Sequence, residues 1–229
     1  SAENGNTKAQ FNLGVMYHKG EEGVLEQDIK KAVELYEKAA SKGIIQAQFN
    51  LGVLYSNGSK DIAQDKEKAF ILFQMAAEQG DADAQLNLGA MYAKGDGVQQ
   101  DKRKAIELYE KAAKQNNPKA QFNLGVMYSK GDGVEKNFRK AAEYYQKASD
   151  QNISQASFNL GVLYFKGVDG VPKNMAKAAK LFEKTIKLNP TNSKATFNLA
   201  VMYQKGEGVE KDEKKALELY ERAAELKNE

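Results

Sequence analysis

Residues 120–128 read AQFNLGVMY, and near-copies occupy residues 9–17, 47–55, 84–92, 156–164 and 195–203. The opening alanines, Ala9, Ala47, Ala84, Ala120, Ala156 and Ala195, lie 38, 37, 36, 36 and 39 residues apart. A period of that size marks an array in which each unit buries its apolar surface on the next. A second phrase follows each copy: Lys-Ala, then an aromatic four residues after the alanine, at Ala32, Ala69, Ala105, Ala141, Ala178 and Ala216. The two phrases stay 21 to 23 residues apart, and 15 to 17 residues lead to the next copy. The variation falls in loops such as HKGEEGVLEQD (18–28) and LNPTNS (188–193), so the apolar segments keep their register.

Each unit reads as two helices. Four residues before each second alanine stands Asp28, Asp65, Asp101, Asn137, Asn174 or Asp212, a short acceptor suited to cap a helix start. Three residues after each motif tyrosine comes Gly20, Gly58, Gly95, Gly131, Gly167 or Gly206, as a left-handed helix end requires. Second-helix ends are expected at Gly43, Gly80, Asn116, Asn152 and Asn189. The second helix, as in KAIELYEKAA (104–113), is amphipathic, with Ala105, Leu108, Tyr109, Ala112 and Ala113 on one stripe. The first helix is apolar nearly all round and carries Gly14, Gly52, Gly89, Gly125 and Gly161, each costing ~1 kcal/mol relative to alanine. Glycine retained there predicts that another backbone lies close.

These spacings predict six helix pairs in a single repeat domain over 1–229, with repeats near 6–43, 44–80, 81–116, 117–152, 153–191 and 192–229. Residues 1–5 read as the tail of a truncated preceding repeat, and Ser1 as a cloning remnant, so a piece of a longer protein is expected. The 34 basic and 31 acidic residues alternate along the chain, which disfavours a phosphate-tracking stripe and hence nucleic acid. No apolar run reaches the ~20 residues of a membrane span, so membrane insertion is not expected. With no cysteine, disulfides and thiolate chemistry are excluded. That is compatible with the cytoplasm without assigning a compartment.

The pattern Ala-x-x-x-Leu-Gly-x-x-Tyr, Gly-x-Gly-Val, Asp-x-x-Lys-Ala, Tyr-x-x-Lys-Ala-Ala strongly resembles the Sel1-like repeat family, relatives of the tetratricopeptide repeats. The third repeat carries it as Ala84, Leu88, Gly89, Tyr92, Gly95, Gly97, Val98, Asp101, Lys104, Ala105, Tyr109, Lys111, Ala112 and Ala113. The resemblance implies an all-α fold, a right-handed α-solenoid superhelix of six antiparallel helix pairs. It also implies a scaffold or adaptor that binds a protein or extended peptide on its concave face, with no enzymatic activity. The chain departs from the pattern at Ala200, which replaces the helix glycine, and in the second loop, Gly58-Ser59-Lys60-Asp61-Ile62.

Catalytic signals are weak. His18, the single histidine, reads as a solvated loop residue at a helix end, and the GDGV turns at 95–98 and 131–134 lack phosphate-loop spacing. Asp96 and Asp101 supply too few oxygens for calcium, and Asp101 has a cap to form. No metal or cofactor is expected.

The asparagine of each motif copy is the informative polar residue. At ~100° per residue, with Asn123 at zero, Ala120, Leu124 and Tyr128 define a face expected to pack on the second helix. Phe122, Val126, Ser129 and Lys130 fall on the opposite side. Two readings of the row Asn12, Asn50, Asn87, Asn123, Asn159 and Asn198 stay open: the amides bridge neighbouring repeats, or they face a groove and pair with a peptide backbone. Tetratricopeptide clamps carry an asparagine at the matching position, which favours the second by analogy. The candidate groove comprises Asn50, Asn87, Asn123, Asn159 and Asn198 with Phe122, Val126, Phe158, Val162 and Phe165, while Lys94 and Lys130 would favour acidic ligands. One residue past the tyrosine the chain varies (His18, Ser56, Ala93, Ser129, Phe165, Gln204), as a selectivity or tolerant surface position would. The alternative function is a structural spacer or an end-to-end self-associating module through uncapped ends, consensus-like or engineered in origin.

Overall fold

The computed structural model describes residues 6–20 and 24–226, leaving the expectation for residues 1–5 and part of the first long loop outside the described residues. Among the described residues, twelve helices alternate as first and second members of six pairs. The first members are α1 (Thr7–Lys19), α3 (Ile45–Asn57), α5 (Ala82–Lys94), α7 (Pro118–Lys130), α9 (Ser154–Lys166) and α11 (Ser193–Lys205). The second members are α2 (Ile29–Ala40), α4 (Lys66–Glu78), α6 (Lys102–Lys114), α8 (Phe138–Asp150), α10 (Met175–Leu188) and α12 (Glu213–Glu225). The chain forms two compact units, Ser1–Gln115 and Asn116–Glu229, with three pairs each. This is the all-α helix-pair repeat architecture the period implied.

The helix boundaries follow the local chemistry. All six expected second-helix caps accept from the backbone three residues on, at 2.9–3.0 Å from Asp28, Asp65, Asp101, Asn137, Asn174 and Asp212. The six glycines ending the first helices have φ between 65° and 74°. Asn116 and Asn152 take the same left-handed conformation, but Asn189 does not: its φ is −138°, and its side chain turns to accept from Thr191 instead.

Packing adds the neighbouring repeat to the expected picture. In α3, α5 and α11 the alanine and leucine cluster with the buried residues of the preceding repeat's second helix, as Ala47, Leu51 and Leu54 do with Ala32, Tyr36 and Ala39. Ala178, Phe182, Ala195, Leu199 and Met202 repeat it. The helical wheel gave the apolar stripe correctly but could not say which neighbour it meets.

Within a pair, the mid-helix glycine faces chiefly an aromatic ring, and at Gly89 also the expected backbone, the Ala105 carbonyl, 3.3 Å from where a Cβ would stand. A Cβ on Gly125 would lie 2.5 Å from the Tyr145 ring, and one on Gly161 would lie 2.9 Å from Phe182. Phe122 and Phe158 flank the same rings at 6.0 Å between centroids, so these phenylalanines touch their own second helix instead of turning away from it. Ala200 in the last pair leaves less room, and Tyr220 is only half-buried where Tyr145 and Phe182 are buried.

A second polar row escaped the sequence reading. Gln48, Gln85 and Gln121, each following an anchor alanine, are fully buried. Gln48 donates to the Ala40 carbonyl of the preceding repeat at 3.2 Å and accepts from Gln79 at 2.7 Å. Gln85 makes the same pair of bonds with Ala77 and Gln115, and Gln121 accepts from Gln151 at 2.8 Å. In the fifth repeat a Ser157–Ser149 hydroxyl contact at 2.7 Å replaces the amides. A buried amide without such partners would cost ~1–3 kcal/mol, which makes this row sensitive to repeat register.

The loops lock neighbouring repeats too. Gly97 approaches the Lys66 backbone so closely that a Cβ would stand 2.8 Å from its carbonyl carbon, and Lys66 Nζ reaches Asp96 Oδ2 at 2.9 Å. Asp96, weighed above as a calcium ligand, is thus an ion-pair partner.

Candidate peptide-binding surface

Asn50 and Asn159 each follow a tyrosine at the second-helix position of the repeat before, and each side chain engages its hydroxyl. Tyr145 is buried, its hydroxyl 3.2 Å from Ser129 Oγ and hydrogen-bonded to the Asn159 side chain. Burial raises its pKa above the usual tyrosine value, and those two hydrogen bonds act against the rise. Tyr36 repeats the arrangement: burial raises its pKa, the Asn50 side chain opposes this, and His18 Nδ1 stands 3.3 Å from its hydroxyl. Asn50 and Asn159 therefore bridge repeats.

Two other asparagines follow a phenylalanine and meet no such hydroxyl. Asn87, after Phe73, donates to the Asp83 carbonyl of its own helix at 2.8 Å. Asn198, after Phe182, is engaged by no other described side chain and opens on a hollow of about 360 Å³. Asn123 is half-buried and Asn12 exposed.

In the first, fourth, fifth and sixth repeats the residue after the motif tyrosine meets the second-helix aromatic. His18 meets Tyr36, Ser129 meets Tyr145, and Gln204 accepts from the Tyr220 hydroxyl at 2.8 Å. Opposite Phe182 the residue is Phe165, whose ring centroid lies 6.1 Å away. At these four positions a polar partner accompanies the hydroxyl and an apolar one the bare ring; Ser56, paired in sequence with Phe73, and Ala93, paired with Tyr109, depart from it, and Ser56 accepts from Lys66 Nζ at 3.4 Å. His18 is thus a half-buried helix residue against Tyr36, in place of the expected solvated loop residue. The signal lay in the sequence, as a pairing of positions 18 residues apart in the first repeat and 16 or 17 in the later ones.

The hollow lies in the Asn116–Glu229 unit between α9 and α11. It brings together four expected residues, Phe158, Val162, Phe165 and Asn198, and adds Lys166, Lys194 and Phe197. Phe197 occupies the same motif position as Phe158, yet it is 45% exposed and touches Tyr220 edge-on at 5.6 Å. The expected residues outside the hollow are placed separately. Phe122 packs on Tyr145, Val126 is half-buried, and Lys130 is exposed at the end of α7. In the other unit Lys94 is exposed at the end of α5. Chemically the hollow offers an aromatic floor, a free amide with both donor and acceptor, and two ammonium groups.

The fold itself recurs among known proteins. The Sel1 repeat model matches residues 7–44, 45–81, 82–117, 118–153, 154–190 and 193–228, covering nearly the whole chain. Comparison with curated proteins finds no match. Among solved structures, the chain is 35% identical to c5321, a protective antigen of uropathogenic Escherichia coli displaying an SLR fold, with a TM-score of 0.90 over 98% of this chain and 47% of that one. It is 32% identical to a Sel1 repeat protein of Oxalobacter formigenes, with a TM-score of 0.81 over 98% of this chain and 63% of that one. The chain thus spans about half to two thirds of the length of these two relatives. The fold likeness extends to YrrB, a TPR protein with an unusual peptide-binding site, at 23% identity and a TM-score of 0.55 over 86% of this chain and 94% of that one.

Proposed function

The chain belongs to the Sel1 repeat family, whose folds generally serve as non-enzymatic protein-interaction scaffolds, and we propose that it binds an extended, acidic peptide or protein segment on its first-helix face. The observation that carries this reading is the Asn198 amide, unengaged beside the half-exposed Phe197 and between Lys166 and Lys194. An amide so placed pairs with a peptide N–H and C=O without regard to side chain. The Phe158 and Phe165 rings take one apolar side chain, and the two lysines favour carboxylates near it. Hollows of about 300 Å³ and more are the usual size for such recognition. Exposed lysines add mainly to the association rate and weaken with salt. Of the remaining candidate positions, Asn123, Asn159, Phe122, Val126 and Lys130 belong to the same unit and Asn50, Asn87 and Lys94 to the other, with Asn50 and Asn159 already committed to tyrosines.

The test selects peptides from a random display library on the immobilised chain, then measures the tightest against Asn198→Ala, Phe197→Ala and Asn159→Ala. A loss of about tenfold or more at residues 197 and 198 with unchanged melting temperature supports the reading. Unchanged affinity in both, with the fold intact, overturns it.

A further inference from the structure

Three hollows lie on the second-helix side, each containing a motif tyrosine under a lysine. Tyr17 lies under Lys31 at 5.1 Å, Tyr92 under Lys104 at 5.2 Å and Tyr164 under Lys177 at 5.1 Å. The hollows at Tyr17 and Tyr92 are small, about 280 and 230 Å³. The one at Tyr164, between α8 and α10 in the Asn116–Glu229 unit, reaches about 620 Å³.

Its size comes from the loop of the fifth repeat. Val168 and Val171 pair through two backbone hydrogen bonds of 3.0 and 2.9 Å, which buries Val171 as part of the floor beside Ala142. Gly170 lies against Arg139, where a Cβ would stand 3.2 Å from the arginine Cβ. A rim fixed this way loses little freedom when a ligand arrives.

Its charge also differs. Around the Tyr164 hollow stand Arg139, Lys147 and Lys177 against one carboxylate, Glu143, whose Oε1 is 3.7 Å from Arg139 Nε, leaving two net positive charges. At Tyr92, Lys104 and Lys111 face Glu78 and Glu107, and the sum is zero. An apolar floor under an unbalanced cationic rim fits an anionic ligand with one apolar group.

We propose that the α8–α10 hollow is a second docking surface, distinct from the first-helix face, which takes an acidic peptide segment of a partner protein with one aromatic side chain seated on Val171 and Tyr164. The carboxylates on either side of that residue meet Lys147, Lys177 and Arg139.

The test titrates the full chain calorimetrically with the pentapeptide Asp-Glu-Phe-Glu-Asp, its alanine-centred analogue and inorganic phosphate. The aromatic peptide binds saturably, at least about tenfold more tightly than the analogue, and weakens as salt rises. The Arg139→Glu/Lys147→Glu variant, altered only at exposed positions, loses at least about tenfold in affinity. The Phe197→Ala/Asn198→Ala variant, which disables the first-helix hollow, binds as the wild type. The proposal is overturned if the aromatic and alanine peptides bind alike, if phosphate competes at equal concentration, or if loss follows residues 197 and 198 instead of 139 and 147. Failure here leaves the first-helix reading standing, because each hollow has its own variant.

Discussion

Within the Asn116–Glu229 unit, two corners built from the same motif positions have opposite character. At the first, Tyr145 holds Ser129 and Asn159 in a closed polar group. At the second, Phe182 is packed by Phe158 and Phe165, and Asn198 is left to face a hollow. A single hydroxyl separates a structural asparagine from an available one. In these two corners the aromatic of the previous repeat sets what the motif position meets: a hydroxyl at Asn159 and a hollow at Asn198.

The largest expected effect comes from closing the space under the ring of the first corner. Gly125→Ala sets a methyl 2.5 Å from Tyr145. Overpacking should cost about 1–3 kcal/mol, partly offset by the ~1 kcal/mol better helix propensity of alanine. Urea unfolding measures it, and Ala200→Gly, where the last repeat already has the methyl, provides the control. Equal behaviour at both sites would break the comparison at its packing step.

Removing the hydroxyl comes next. Tyr145→Phe should cost about 0.5–1.5 kcal/mol, because it removes the hydroxyl that Ser129 and Asn159 share while Ser129 keeps its bond to the Val126 carbonyl. In a double-mutant cycle with Asn159→Ala the costs should fall short of additive. Strict additivity would mean that the two side chains do not share a bond. The reverse swap, Phe182→Tyr, should offer Asn198 a hydroxyl and weaken peptide binding on the first-helix face several-fold; unaltered affinity would separate the amide from recognition.

The smallest effect is alkaline. Burial holds the Tyr36 and Tyr145 pKa values above 10.0, so the folded protein keeps protons that the unfolded chain releases. Their contribution is complete below about pH 10 and is lost as pH rises through the folded values. Unfolding midpoints across that range should fall, and Tyr145→Phe should fall less steeply than the wild type.

Much of this was legible in the residues. Caps such as Asp101 and helix ends such as Gly131 depend on local chemistry, and a period near 36–39 residues ties local signals to an array. Neighbour identity was not legible. A helical wheel placed Leu124 and Phe122 on different faces but could not show that the leucine position meets the preceding repeat while Phe122 meets Tyr145. Gln121 reads as a surface residue by type, and burial becomes affordable only once Gln151 arrives from 30 positions later. Of the candidate site, Phe158, Val162, Phe165 and Asn198 converge on one hollow, and Phe197 was recoverable by carrying the phenylalanine position into the last repeat.

The central claim is that the aromatic before Asn159 and before Asn198 decides whether that amide is free to bind. The side-chain amide resonances of Asn159 and Asn198 report this directly when the tightest selected peptide is titrated into nitrogen-15-labelled protein. The account predicts that the Asn198 pair shifts and saturates with the peptide while the Asn159 pair stays in place. A saturating titration that moves Asn159 and leaves Asn198 unchanged would contradict it.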